Sequence, residues 1–105
     1  MKRSILIAAA ALSLGLTATP AWSGDAADLA RAKGCLGCHD INVKKVGPAY
    51  KAVAEKYKGD AGAADKLAAK IKKGGAGVWG KMPMPPQSGL SDEEAHTLAK
   101  WVLAQ

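Results

Sequence analysis

Phenylalanine is absent from this 105-residue chain, and aromatic residues of every kind make up 5% of it. A domain with so few large apolar side chains has little material for a core of its own. Thiol and imidazole ligands are scarce as well: Cys35, Cys38, His39 and His96 are the whole supply. A structural zinc site needs four ligands, and His96 falls in a separate predicted helix far from the other three, which argues against zinc. The longest apolar run, Ile5 to Leu16, is about 12 residues, well short of the roughly 20 that cross a bilayer. Strand–helix alternation is missing, which argues against a thioredoxin-like redox pair. The acidic residues show no paired arrangement suited to acid–base catalysis, and there is no internal repeat or low-complexity linker.

What is present begins with the N-terminus. Met1-Lys2-Arg3 is basic, Ile5 to Leu16 is apolar, and the stretch to Ser23 is dominated by small residues. That is the layout of a secretory signal peptide. Cleavage after Ser23 places Ala21 and Ser23 at the −3 and −1 positions, with cleavage after Ala21 the second choice. The expected organisation is a leader over 1–23 and one small exported domain over 24–105. Loss of Lys2 and Arg3 leaves 13 basic against 9 acidic residues, a net charge of +4. The lysines are dispersed and an exported chain would not meet nucleic acid, so the charge reads as solvation with a mild bias towards acidic partners.

The decisive segment is Cys35-Leu36-Gly37-Cys38-His39, the attachment motif of a c-type haem. Two thiols three positions apart on one helical turn face the same way and reach two vinyl groups of one porphyrin. The next residue, His39, is carried beneath the iron as a proximal ligand. Gly37 removes bulk where a porphyrin would lie close to the backbone. A plain disulfide across so short a loop would remove little unfolded-state entropy. Haem also answers the shortage of core, because domains below roughly 80 residues usually need a metal, disulfide or similar staple.

The rest of the chain reads as all-α. One helix is expected from Asp25 or Ala26 to Lys33, with Leu29 on its apolar side and Asp25 and Asp28 near the positive end of its dipole. A second covers Pro48 to Lys58, with Pro48 in its first turn and Tyr50, Val53, Ala54 and Tyr57 at helical spacing. A third covers Gly62 to Lys73, with Ala64, Leu67, Ala68 and Ile71 as its stripe and Gly74-Gly75 as its stop. The last begins at Ser91, where Glu94 completes a capping box. Its buried stripe is Ala95, Leu98, Ala99 and Val102, bordered by Trp101.

Between the last two helices, Gly74 to Gly89 forms a long irregular segment, a kind that is usually functional in a small domain. It holds Met82 and Met84. A thioether is a soft sixth ligand that raises the potential of a haem iron. Met84 sits in Pro83-Met84-Pro85-Pro86, where the prolines make a stiff strap that presents one side chain in a set direction. Met82 lies on a looser section and reads as an apolar contact near the haem edge. His96 is off the buried stripe and reads as a surface histidine.

From Lys33 to Gln105 the chain resembles the small class I c-type cytochromes of bacteria, the cytochrome c-551/c-552 group. The resemblance rests on Gly34-Cys35-Leu36-Gly37-Cys38-His39, Val46-Gly47-Pro48-Ala49-Tyr50-Lys51, Gly77-Val78-Trp79-Gly80, Pro83-Met84-Pro85-Pro86 and Leu98-Ala99-Lys100-Trp101-Val102-Leu103. It implies a small cytochrome c fold around one covalent haem c, with His39 and Met84 as axial ligands. It further implies that the Pro48 carbonyl accepts a hydrogen bond from His39 Nδ1–H, that the Trp79 indole meets a propionate, and that Lys70 stands near one. Relatives commonly carry Asn after the strap, bonding near the methionine sulfur; here Gln87 occupies that place.

The function implied is one-electron transfer rather than enzymatic turnover, by a monomer serving donor and acceptor proteins. Candidate partners are a cytochrome bc complex, nitrite reductase, a terminal oxidase or a photosynthetic reaction centre. The haem edge is expected near Leu36, Gly37, Val46, Met82 and Pro83, flanked by Lys44, Lys45 and Lys81. A haem enzyme or gas sensor with an open sixth site, and a thiol–disulfide oxidoreductase, are the alternatives.

Overall fold

A computed structural model describes residues 22–105. The leader expected over 1–23 lies outside them, apart from its last two positions. Four α-helices are present and no strand is formed among the described residues: α1 (Trp22–Ala32), α2 (Tyr50–Lys56), α3 (Ala63–Lys73) and α4 (Asp92–Leu103). The all-α expectation holds.

Helix α1 starts before the expected Asp25, with Pro20 the nearest helix breaker on that side. It is alanine that it buries: Ala26 and Ala30 are inside, whereas Leu29 is half-buried. Helix α2 is shorter than its apolar spacing implies. Ala49, extended at φ −61 and ψ 142, is its N-cap, so Pro48 lies ahead of the helix and not in its first turn. The cause is tertiary. Tyr50 N and Lys51 N, orphan donors at the helix start, donate to the carbonyls of Asp40 and Ile41 at 2.9 and 3.1 Å. Those contacts set where the helix begins. The Asp40 carboxylate in turn accepts from the backbone of Asn42 and Val43 at 2.7 and 2.9 Å, which holds its own pKa below the ordinary carboxylate value.

Helices α3 and α4 follow the sequence closely. Gly62 is the N-cap of α3, and Gly74 ends it at a positive φ of 66°. At α4 the capping box is complete: Ser91 accepts from Glu94 N, and the Glu94 carboxylate accepts from Ser91 N, each at 3.0 Å. All four residues of the α4 stripe are buried, and α4 packs against α1, α2 and α3. It is the helix on which the others assemble.

The core is thin. Of the thirteen buried hydrophobic residues among those described, seven are alanines (Ala26, Ala30, Ala49, Ala63, Ala68, Ala95 and Ala99). Tyr50, Val53, Leu67 and Val102 add bulk on one side, Leu90 and Leu98 on the other. Since each buried large side chain contributes about 1.5–3 kcal/mol, helix packing alone leaves this domain short of apolar burial.

Away from that core, His96 braces α3 to α4. Its Nδ1 faces the Asp92 carbonyl and its Nε2 faces the Asp65 carboxylate, each at 2.8 Å. Both partners are acceptors, so only the doubly protonated imidazolium satisfies both. The Asp92 carbonyl and Asp65 accordingly raise the His96 pKa, against smaller opposing effects of desolvation and Lys100. Lys72 of α3 pairs with the Asp92 carboxylate beside it. A raised folded pKa means that this stabilisation is fully present below the unfolded value, about 6.5, and is lost as pH rises through the folded value. His96→Gln is therefore expected to lower Tm at about pH 5 and to match the parent chain near pH 9. Melting curves at both pH values check this, and an equal gap at both would show that charge is not the cause.

Candidate cofactor site

The attachment motif is carried on a tight turn. Gly34, left-handed at φ 76 and ψ 13, swings the chain from α1 into a 3-10 turn over Cys35–Gly37. Gly37 N donates to Gly34 O at 3.1 Å, and Cys38 N and His39 N donate to Cys35 O at 3.2 and 3.0 Å. These bonds bring Cys35, Cys38 and His39 to the wall of one cavity of about 320 Å³. Cys35 is half-buried and Cys38 exposed, and the two are not joined by a disulfide. Burial pushes the Cys35 thiol above its ordinary value. Exchange chemistry wants the opposite, a thiol whose pKa is lowered.

His39 is held from three directions. Its Nδ1 lies 2.8 Å from the Pro48 carbonyl. A carbonyl only accepts, so Nδ1 carries the proton and Nε2 keeps its lone pair for a metal. Its ring stacks on Tyr50, with centroids 5.0 Å apart and planes at 20°. Tyr50 meets Trp101 edge-on at 5.2 Å, and burial keeps its phenol well above the ordinary pKa. The third constraint is Gly47. A Cβ there would collide with Cε1 of the imidazole and lie 2.7 Å from Nδ1. Gly47 N donates to Cys38 O at 2.7 Å, which fixes this close approach.

The strap approaches from the other end of the sequence. Gly75 and Met84 exchange backbone hydrogen bonds of 3.0 and 2.9 Å. Gly74 packs so closely on the strap that a Cβ would lie 2.8 Å from Pro86 N and 2.9 Å from the Pro85 carbonyl carbon. The prolines therefore run along a glycine track, and half-buried Met84 lines the cavity. Val53, Leu67, Ile71, Leu98, Trp101 and Val102 supply its apolar walls from α2, α3 and α4.

All seven site residues expected from the sequence, Cys35, Cys38, His39, Pro48, Lys70, Trp79 and Met84, line this one cavity. Lys70 makes no ion pair among the described residues, and its ammonium lies over Gly75, 3.1 Å from where a Cβ would be. Gln87 also lines the cavity, but its amide Nε2 faces the Pro85 carbonyl at 3.5 Å. Met82, Val46 and Val78 stand at the rim, 68%, 56% and 48% exposed. Leu36, expected at the edge, is instead partly buried against the core cluster of Tyr50 and Val53. His96 lies elsewhere, as its phase implied. Two contributors escaped the sequence reading: the Tyr50 ring, whose spacing marks it only as core, and the steric role of Gly47, whose only sign is its place before Pro48.

Two thiols, an imidazole with its Nε2 open and a thioether, gathered around apolar walls, fit a covalently attached haem. They do not fit zinc, since no group of three His, Cys, Asp or Glu among the described residues comes together to hold an ion. The volume falls in the range of ligand sites, roughly 300–1,000 Å³.

Comparison with known proteins gives the same direction. The family model described as Cytochrome c matches residues 24–105. Cytochrome c-551 of Pseudomonas aeruginosa is 57% identical over 90 residues, covering 86% of each chain. Cytochrome c-552 of Hydrogenobacter thermophilus is 51% identical over 104 residues, 99% of this chain and 98% of the other. The crystal structure of Nitrosomonas europaea cytochrome c552 superposes with a TM-score of 0.72 at 50% identity, over 74% of this chain and 96% of that one.

Gly47→Ala tests the proximal geometry. The methyl group has to displace the imidazole or the loop, and overpacking of this kind costs about 1–3 kcal/mol. Denaturant unfolding of the haem-loaded protein is expected to show that loss, together with a changed proximal histidine signature in the paramagnetic NMR spectrum. Unchanged spectra would mean that the ring tolerates a side chain at position 47.

Proposed function

The chain belongs to the cytochrome c family and carries one covalently bound haem c, and from that premise we propose that it is a periplasmic one-electron carrier whose iron is held between His39 and Met84. The observation that carries this reading is the convergence of Cys35, Cys38, His39 and Met84 on a single apolar cavity. Haem supplies a one-electron iron couple; everything else is the work of the polypeptide. Cys35 and Cys38 attach the macrocycle through thioethers. The Pro48 carbonyl keeps the proton on His39 Nδ1 and so presents Nε2 to the metal. Met84 offers a soft neutral donor that favours the reduced iron, and its prolines limit the movement that would release it. Lys70 and Trp79, which line the cavity, would hold the haem propionates. The walls from α2, α3 and α4 exclude water, which keeps reorganisation on electron transfer small.

With His39 and Met84 both committed to holding the haem iron, an outside ligand would find no open site, and this supports a carrier rather than an oxygen-binding or peroxidatic enzyme. Gln87 stands where relatives commonly carry asparagine, and its amide Nε2 faces the Pro85 carbonyl at 3.5 Å. Residues 1–23 read as the leader that delivers the chain to the periplasm, and no described helix is long and apolar enough to cross a membrane.

The rim fits brief docking. Val46, Val78 and Met82 form an exposed apolar edge, with Lys44 and Lys81 exposed in the same two loops. Lys45 differs from them, since its ammonium already donates to the Leu36 carbonyl at 3.2 Å. Electrostatic attraction steers encounter and a small interface lets the complex part quickly. An acidic face on a cytochrome bc complex, nitrite reductase, terminal oxidase or photosynthetic reaction centre meets that description. The second-order electron-transfer rate with such a partner is expected to fall as salt rises, since exposed charges are screened over roughly 8–10 Å near physiological ionic strength. Lys44→Gln and Lys81→Gln should each flatten that dependence. A rate indifferent to salt would leave apolar contact as the only attraction.

The choice of methionine is tested by substitution. Met84→Ala should abolish the sulfur-to-iron charge-transfer band of the oxidised protein, lower the reduction potential and admit exogenous imidazole. Met82→Ala should leave band and spin state as they are. The reverse pattern would assign the ligand to Met82 and remove the strap from the mechanism.

A further inference from the structure

The turn Gly77-Val78-Trp79-Gly80 is weakly anchored by its own backbone. Gly77 and Gly80 sit at positive φ, 105° and 119°, with a single hydrogen bond from Gly77 N to Gly80 O at 2.9 Å closing the turn. A side chain from the helical body reaches it. The Lys56 ammonium lies 5.6 Å from the centroid of the Trp79 ring, within the reach of a cation–π contact. Lys56 has no carboxylate partner among the described residues.

Lys56 is the last residue of α2, and Tyr50 is the first. The helix thus carries the ring that stacks on His39 at one end and the cation that holds Trp79 at the other, about 9 Å along its axis. We propose that Lys56 is a positioning residue, tying the 77–80 turn to α2 so that Trp79 and the strap leading to Met84 keep a fixed register with His39. The inference rests on the haem ligation proposed above. A cation over the indole face also draws electron density from the ring, which makes the Trp79 N–H a stronger donor towards an anionic group. Glycine freedom in the turn is what makes an external tie necessary.

The experiment uses the haem-loaded protein and four variants: Lys56→Met, Lys56→Arg, Trp79→Leu and the Lys56→Met/Trp79→Leu double variant. Two quantities are read, hydrogen exchange of the Trp79 indole N–H by NMR and the affinity of the ferric protein for imidazole. Lys56→Met is expected to speed indole exchange and raise imidazole affinity by a factor of about two to five, the equilibrium equivalent of one exposed cation–π contact. Lys56→Arg, which keeps a cation over the ring, restores both. In the Trp79→Leu background, Lys56→Met changes imidazole affinity no further, as a coupled pair requires. The proposal is overturned if Lys56→Met leaves either quantity unchanged, if arginine behaves like methionine, or if the effect persists without Trp79. Met84→Ala run in parallel keeps the two readings apart. Should it fail to alter imidazole affinity, the ligation proposal falls, and indole exchange still decides the Lys56 contact by itself.

Discussion

The hydrogen bond between His39 Nδ1 and the Pro48 carbonyl depends on more of this structure than any other contact. It needs the loop between the attachment turn and α2 to fold back over nine residues. That fold-back is made by Gly47 N on Cys38 O, and by Tyr50 N and Lys51 N on the carbonyls of Asp40 and Ile41. The last two bonds also cap α2, so the start of a helix and the orientation of a ligand are settled together. Proline contributes twice: its fixed φ sets the direction of the chain, and its carbonyl accepts the imidazole proton. The outcome is one tautomer, with a single nitrogen left for a metal.

The thinness of the core has the same origin as the cavity. Alanines at the centres of α1, α3 and α4 let the helices approach closely, yet the larger side chains of α2, α3 and α4 turn towards a space that protein does not fill. A flat apolar group there supplies the contacts that phenylalanine would provide in a self-sufficient domain of this size. Covalent attachment makes sense on the same grounds, because a group that completes the core must not be lost whenever the small domain opens. The family's covalent haem is thus both cofactor and core.

Charge is divided by location. The brace of Asp65, His96, Asp92 and Lys72 ties α3 to α4 away from the cavity. At the opening stands the apolar edge of Val46, Val78 and Met82, and Lys44 and Lys81 are exposed in the same two loops, neither of them in an ion pair among the described residues. Largely solvated pairs contribute modestly to stability, and this brace links two helices that both wall the cavity. Lysines free of partners keep their field available for long-range attraction.

Much of the fold and site was legible in the chain because the relevant signals are local. The haem motif is a covalent spacing of five residues. The capping box at Ser91 and Glu94, the glycine stop at position 74 and the α4 stripe each operate within a turn or two, and each appears where the pattern places it. The strap of prolines around Met84 is likewise written in consecutive residues. Helix α2 was legible only in part: its apolar period runs from Tyr50 to Tyr57, but its first residue is decided by carbonyls of the preceding loop, which no periodicity reports. Sequence by itself determined the cofactor chemistry, the helix count and the candidate ligands. Tertiary structure alone decided that Tyr50 stacks on His39, that Gly47 leaves room for the ring, that Leu36 turns inward, that His96 meets Asp65 and that Lys56 meets Trp79. The reason is physical. A spacing along one helix states which residues share a face, whereas the partner across the gap depends on how far each helix is rotated and shifted when it packs, and that is a property of the whole assembly.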